Sequence, residues 1–316
     1  MIVTLTANPS LDRTIALDQP LRPGDVQAAA SSREDAGGKG INVARAVSAA
    51  GVDVVAVLPL ADDDPFDTAL RGSSLTAYRV TVRGHARANV TITDPSGMTT
   101  KLNLPGAPLS GADAAAVVSA VVDASSAARW LVLAGSLPPG VDDNFYVDVI
   151  SAVREAHGTD APLIAVDTSG PALAAVVERG RPDLIKPNDD ELAELAGVAL
   201  TDGGAAAAVV DVARALVPSR VAAALVTLGA AGAVLVTADA AWSAAPPAVR
   251  VVSTVGAGDS SLAGYVLAEA AGATPEERLR QAVRYGAAAA SLPGTQAPTP
   301  ADLPAGHVLV TLLSPA

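Results

Sequence analysis

The chain has 316 residues, half of them apolar and 17% charged, and a formal charge of −12. Such a composition supports a large core and excludes a disordered chain. The acidic balance argues against a nucleic-acid partner, because phosphate backbones demand clustered Lys and Arg. The absence of cysteine removes disulfides, thiolate catalysis and cysteine-based metal sites. No uninterrupted run of about 18 apolar residues predicts a membrane span, and Met-Ile-Val-Thr-Leu-Thr lacks the basic region of a signal peptide. The expectation is a cytoplasmic protein with no membrane partner. Aromatics are scarce, and Ala and Val carry the apolar share, as in close-packed helices on a buried sheet.

In chain order, Ile2–Thr6 predicts a β-branched strand that ends at Ala7-Asn8-Pro9, with Asp12 close behind as a turn residue or a ligand group. Residues 14–34 read as extended and irregular. Gly37-Gly38-Lys39-Gly40-Ile41-Asn42 leads into a helical run, 43–50, and offers an anion-friendly turn with one point charge and one amide. It is not a Walker A loop, since Gly40 stands where Ser or Thr is needed. Residues 52–58 predict a buried strand, and Asp62–Asp64 a solvated acidic loop. Three short half-polar segments, 77–83, 88–93 and 99–104, predict an antiparallel meander. Together with residues 13–34 they are assigned to a small β lid spanning about 13–34 and 77–105, with Arg87 and Lys101 as its candidate cations.

From Ser110 the alternation is regular. Helices are expected at 111–125, 143–157, 171–179, 189–196 and 204–217, and strands at 130–134, 162–166 and 221–227. Edge strands are expected at 232–237 and 248–252, followed by helices at 259–271 and 275–291. Alternating strands and helices imply right-handed crossovers and a mainly parallel sheet. The polar motifs fall just past strand carboxyl ends: Asn8–Asp12, Gly135-Ser136, Asp167, Lys186–Glu191, Thr227–Gly229 and Gly256–Asp259. Open α/β sheets hold their ligands there.

The chemistry concentrates in Val252–Gly264. Gly256, Ala257 and Gly258 bring backbone amides to a helix N-terminus, where partial positive charge favours an anion. Asp259 would repel that anion unless it takes a proton, a pairing that suits phosphoryl transfer; the competing reading is a helix cap. Asn188 and Glu191 share a helix face and can hold waters of a Mg²⁺ ion, or form a capping box, or both. The dispersed histidines His85, His157 and His307 exclude a His-x-x-x-His zinc site, and Ala134–Pro138 does not fit a serine-hydrolase elbow.

On these motifs the chain resembles the PfkB-type (ribokinase-like) carbohydrate kinases over essentially its whole length. The matching stretches are Thr4–Asp12, GGKGINVAR at 37–45, GSLPPG at 135–140, Asp167–Gly170, Lys186–Asn188 with Glu191, and STVGAGDSSLAG at 253–264. The nearest branch is that of 1-phosphofructokinases and tagatose-6-phosphate kinases. The resemblance implies a three-layer αβα sandwich, a single domain over 1–316, with a mainly parallel central sheet and a small antiparallel β lid that commonly mediates dimerisation. It implies Asp259 as general base and Gly256, Ala257 and Gly258 as an anion hole. Asp12, Gly38, Lys39, Asn42, Ser136 and Arg87 would bind the sugar phosphate. Lys186, Asn188, Thr227, Gly229 and Gly232 would line the ATP side, with Mg²⁺ at Asn188 and Glu191 through water.

The reaction expected is phosphorylation of fructose 1-phosphate by ATP. Tagatose 6-phosphate and fructose 6-phosphate are the alternative substrates, and a non-catalytic sugar-phosphate sensor is the alternative from another class. Lys39 favours the sugar-phosphate branch, and Asp25 stands where related 6-phosphofructokinases place a phosphate-binding Lys. Lys101, and a short stretch after Asp64, depart from the 1-phosphofructokinase pattern.

Overall fold

A computed structural model describes residues 1–71, 75–199 and 206–315. The expected helix start at 204–205 lies outside the described residues. Among the described residues ten strands form one sheet. In space it begins with β5 (Thr76–Thr81), β4 (Val54–Leu60), β1 (Ile2–Leu5), β8 (Trp130–Ala134) and β9 (Leu163–Asp167). It continues through β10 (Leu184–Ile185), β11 (Ala223–Thr227), β12 (Ala233–Thr237), β13 (Ala240–Ala244) and β14 (Val310–Pro315). Pairing is parallel from β5 to β11 and antiparallel from β11 to β14.

The central strands are apolar on both faces because helices cover both. On one side lie α1 (Lys39–Ala49), α8 (Ala257–Ala270) and α9 (Pro275–Ala290). On the other, α3 (Gly111–Ser125) and α4 (Phe145–His157) cover β1 and β8. That layer continues over β10–β13 through α5 (Gly170–Ala175), α6 (Asp189–Ala196) and α7 (Ala206–Arg214). The result is the expected three-layer sandwich. Capping boxes start α3 at Ser110 and Asp113, and α9 at Thr274 and Glu277.

A second sheet has the order β3 (Ser31–Gly37), β2 (Ser10–Ala16), β6 (Arg87–Thr93), β7 (Thr99–Asn103). Its outer pairs are antiparallel and its central pair, β2 with β6, is parallel. Period-2 alternation gives it one polar face, where Asp12, Asn89 and Asn103 stand in register, and one apolar face carrying Ile15, Val90, Ile92 and Leu102.

Three sequence expectations are corrected. Residues 77–83 do not join the small sheet: β5 pairs in parallel with β4 at the edge of the large one, after a crossover through α2 (Phe66–Leu70). An edge strand is half-polar for the same reason a lid strand is, so alternation alone did not separate them. Residues 14–34 are irregular only over 17–30, since β2 and β3 pair from Ser10↔Gly37 to Ala16↔Ser31. Residues 248–252 form no strand; Ala240–Ala244 and the C-terminal Val310–Pro315 fill the edge instead. In addition, Asp64 is buried rather than solvated, accepting from the amides of Phe66 at 3.0 Å and Ala86 at 2.7 Å.

Candidate active site

The carboxyl ends of the parallel strands and the N-termini of α1, α6 and α8 converge on one cleft. Its apolar wall includes Pro246, Val249, Val251, Val283 and Ala287, and its polar end holds Lys39, Lys186, Ala257, Gly258 and Asp259. Asn188, Glu191, Thr227, Gly229 and Gly232 also line it, and its volume is about 690 Å³. All the residues expected on the nucleotide side therefore share one space. Part of that wall was not legible in the sequence, because Pro246, Val249 and Val251 come from an irregular segment that shows no periodicity, while Val283 and Ala287 stand on α9.

α8 starts where the chain turns left-handed at Gly256 (φ 78°), a conformation a Cβ disfavours. Gly256 itself is the N-cap, and among the described residues no side chain caps the helix. Asp259 is thus the third helical residue, not the cap, which corrects the competing sequence reading. No protein acceptor among the described residues takes the amides of Gly256, Gly258 and Asp259, while Ala257 N reaches Thr254 O only at 3.4 Å. An open first turn of this kind attracts anions.

Asp259 is buried because α8 is packed on nearly every side by α1, α9 and the sheet. Its Oδ2 accepts from Asn42 Nδ2 at 2.8 Å. Burial and the neighbouring Asp167 push its carboxyl up to about 6, against the pull of Lys39, Asn42 and Lys186. Asp167 was singled out in the sequence only as a strand-end acid. In the structure it is fully buried and organises the cations: Lys39 Nζ lies 2.6 Å from Oδ1 and Lys186 Nζ 3.1 Å from Oδ2. Burial opposes its charge, but Lys186 and Lys39 outweigh burial and hold the carboxyl below the usual range. For Lys39 too, burial acts against the charge, and Asp167 and Asp259 outweigh it to hold the ammonium above its usual range. The site thus alternates charges, Lys39 and Lys186 about Asp167, with Asp259 alongside.

Next to this cluster stands the polar face of the small sheet. Asp12 is not a turn residue but lies within β2, accepting from Ser10 Oγ at 2.8 Å and Asn89 Nδ2 at 3.0 Å. Its carboxylate packs directly on Gly37, where any Cβ would collide with it. Burial raises the Asp12 carboxyl, against Ser10, Asn89 and Arg87. Gly38 (φ 123°) is the N-cap of α1, which begins four residues earlier than the sequence suggested. Arg87 Nη1 donates to Leu104 O at 3.2 Å.

Three buried atoms here have no partner among the described residues: Asn42 Oδ1, Asn89 Oδ1 and Arg87 Nε. Buried polar groups are otherwise nearly always paired, so two acceptors and one cationic donor point to a ligand with hydroxyl groups and an anion. Asn89 was missed in the sequence, although its place two residues after Arg87 on a strand puts both on one face. Ser136 is exposed, its Oγ accepting from Asn8 Nδ2 at 3.4 Å. Lys101 is exposed on β7, in register with Thr91.

Asn188 and Glu191 form the capping box of α6: Asn188 Oδ1 accepts from Glu191 N at 2.7 Å, and Glu191 Oε2 from Asn188 N at 2.9 Å. That leaves Glu191 Oε1 outside the capping box, on a residue that lines the cleft. Among the described residues no three metal-ligating side chains cluster, and no helix is long and apolar enough to cross a membrane.

The family description "pfkB family carbohydrate kinase" matches residues 6–302. The chain belongs to that family. It is a kinase, a phosphotransferase with an alcohol group as acceptor. Among relatives of this kinase, a 1-phosphofructokinase of Rhodobacter capsulatus is 35% identical, covering 98% of this chain and 97% of its own. The ATP-dependent 6-phosphofructokinase isozyme 2 of Escherichia coli is 34% identical over 93% and 94% of the two chains. The crystal structure of phosphofructokinase-2 from Escherichia coli in complex with potassium superposes with a TM-score of 0.87 at 32% identity, covering 96% of each chain.

Proposed function

We propose that this kinase transfers the γ-phosphoryl group of ATP to the 6-hydroxyl of fructose 1-phosphate, giving fructose 1,6-bisphosphate and ADP. The observation that carries the reading is the buried Asp259 carboxylate set against the open first turn of α8. Asp259 removes the hydroxyl proton, the sugar oxygen bonds to the γ-phosphorus, and the bond to ADP breaks. The amides of Gly256, Ala257 and Gly258 take the charge that develops on the phosphoryl oxygens. Lys186 neutralises phosphate charge, and Lys39, held by Asp167, stands at the junction of sugar and phosphoryl group.

Asp12, Gly38, Asn42 and Asn89 hold the sugar, with Ser136 at the rim, and Arg87 takes its existing phosphate. The unpaired Asn42, Asn89 and Arg87 atoms support that division. The small sheet serves as the lid of a single kinase domain over 1–316. Thr227, Gly229 and Gly232 sit on the ATP side, whose apolar wall suits a flat heteroaromatic base. The donor set fits Mg²⁺ only through water, since Glu191 keeps one carboxylate oxygen outside its capping box. When bound there, Mg²⁺ would neutralise charge on the nucleotide phosphates.

Two observations favour fructose 1-phosphate. The Rhodobacter relative carries the 1-phosphofructokinase name, and Asp25 forms an ion pair with Arg22 at 2.7 Å rather than offering a cation. The Escherichia 6-phosphofructokinase relative supports fructose 6-phosphate as the second reading. The apolar lid face, with Leu102 55% exposed, suits a second copy of the chain, and a cytoplasmic homodimer is the assembly we propose. The test is ADP release over fructose 1-phosphate, tagatose 6-phosphate and fructose 6-phosphate. Fructose 1-phosphate should lead in kcat/KM by about tenfold or more. A lead for either rival would reassign the substrate, and binding without ADP from any would make the protein a sensor.

A further inference from the structure

The lid meets the large sheet at four crossings: 6–9 into β2, 37–38 out of β3, 82–86 into β6 and 104–109 out of β7. Asn8 lies in the first, and its side chain is buried at 6% exposure. Its Nδ2 faces three acceptors: Pro105 O at 3.1 Å in the fourth crossing, and Leu137 O at 3.3 Å and Ser136 Oγ at 3.4 Å in the loop after β8. An amide nitrogen carries two protons, so the three acceptors compete. The bonds to Leu137 and Ser136 are long for hydrogen bonds and cheaply exchanged for one another, while the bond to Pro105 has an ordinary length. On its other side Asn8 Oδ1 packs on Gly106 (φ +97°), where a Cβ would overlap it.

The two ends of this contact belong to different parts of the fold. The loop after β8 is anchored at Gly135, whose carbonyl accepts from Tyr146 at 3.0 Å and Thr168 at 2.9 Å and whose amide donates to Asp167 O at 2.9 Å. The other end, Pro105, follows Leu104, whose carbonyl holds Arg87 Nη1. Asn8 itself stands four residues before Asp12. One side chain therefore ties a fixed core loop to the chain segments that aim Arg87 and Asp12.

We propose that Asn8 is a positioning residue, the hinge pin that sets the lid over the sugar site and acts on the substrate through Arg87. This rests on the assignment of Arg87 to the sugar phosphate. Asn8→Asp keeps the shape and removes the donor; Gly106→Ala disturbs the same contact from the other side. In either variant, amide hydrogen exchange without substrate should quicken severalfold in β6 and β7 and stay unchanged in β1, β4 and β8. The KM for fructose 1-phosphate should rise about tenfold, with the KM for ATP within about twofold. An Arg87→Met background should absorb most of that rise.

Unchanged exchange in β6 and β7, an equal rise in both KM values, or the same factor on the Arg87→Met background would overturn the inference. Exchange needs no substrate, so it reads the hinge even if none of the three sugar phosphates is turned over by the unaltered chain. That last result would instead overturn the proposed function.

Discussion

Replacing Asp259 by Asn should make the protein more stable and nearly inactive. A general base contributes about 10²–10⁴ in rate, or about 3–5 kcal/mol of barrier, and the amide cannot take the proton. The substituted amide still presents an oxygen to Asn42 Nδ2, so the packing survives. Stability moves the other way. Burial and Asp167 raise the carboxyl from 3.8 to about 6, so the folded state holds this proton more tightly than the unfolded chain.

The sign follows from linkage: the ionised carboxylate destabilises the fold fully above pH ~6 and not at all below pH ~4. A shift of roughly two units corresponds to about 3 kcal/mol at neutral pH. Removing the charge should then raise the melting temperature at pH 8 by about 5 °C, and the two proteins should converge as pH falls toward 4. Coupled ADP release and thermal melts from pH 4 to 8 measure both. A variant that keeps more than about one-tenth of the activity, or that melts lower than the parent at pH 8, would refute the reasoning.

Three further outcomes are expected. Asp167→Asn leaves Lys39 and Lys186 without their buried counter-ion and should cost about 3–5 kcal/mol in denaturant titration. Because Asp167 also raises the Asp259 carboxyl, the acid limb of kcat/KM, near pH 6 in the parent, should move to lower pH. Arg87→Met removes a charged donor worth about 1.5–3 kcal/mol; steady-state kinetics should show the sugar-phosphate KM rising about 10- to 100-fold, with ATP unaffected. Glu191→Gln can still close the capping box of α6, so its melting temperature should hold while half-saturation by Mg²⁺ rises severalfold in a metal titration.

Local signals in the sequence determined much of this protein. The regular alternation after Ser110 gave α3 over Gly111–Ser125, β8 over Trp130–Ala134 and α6 over Asp189–Ala196 with their observed bounds, because capping and burial patterns are local properties of the chain. Placing polar motifs past strand ends anticipated one cleft, since parallel strands carry their carboxyl ends to a common edge. What the tertiary structure decided is long-range. Residues 76–81 chose the large sheet rather than the small one, a choice made by the crossover through α2 and not by their own alternation. β14 returned from the C-terminus to pair with β13. Asp167, a bare strand-end carboxylate in the sequence, became the anchor of two lysines from separate elements. Asp259 became a buried acid held above its usual range because α8 is enclosed by α1, α9 and the sheet. Its identity is written in the chain, but its proton affinity depends on the neighbours that folding brings to it.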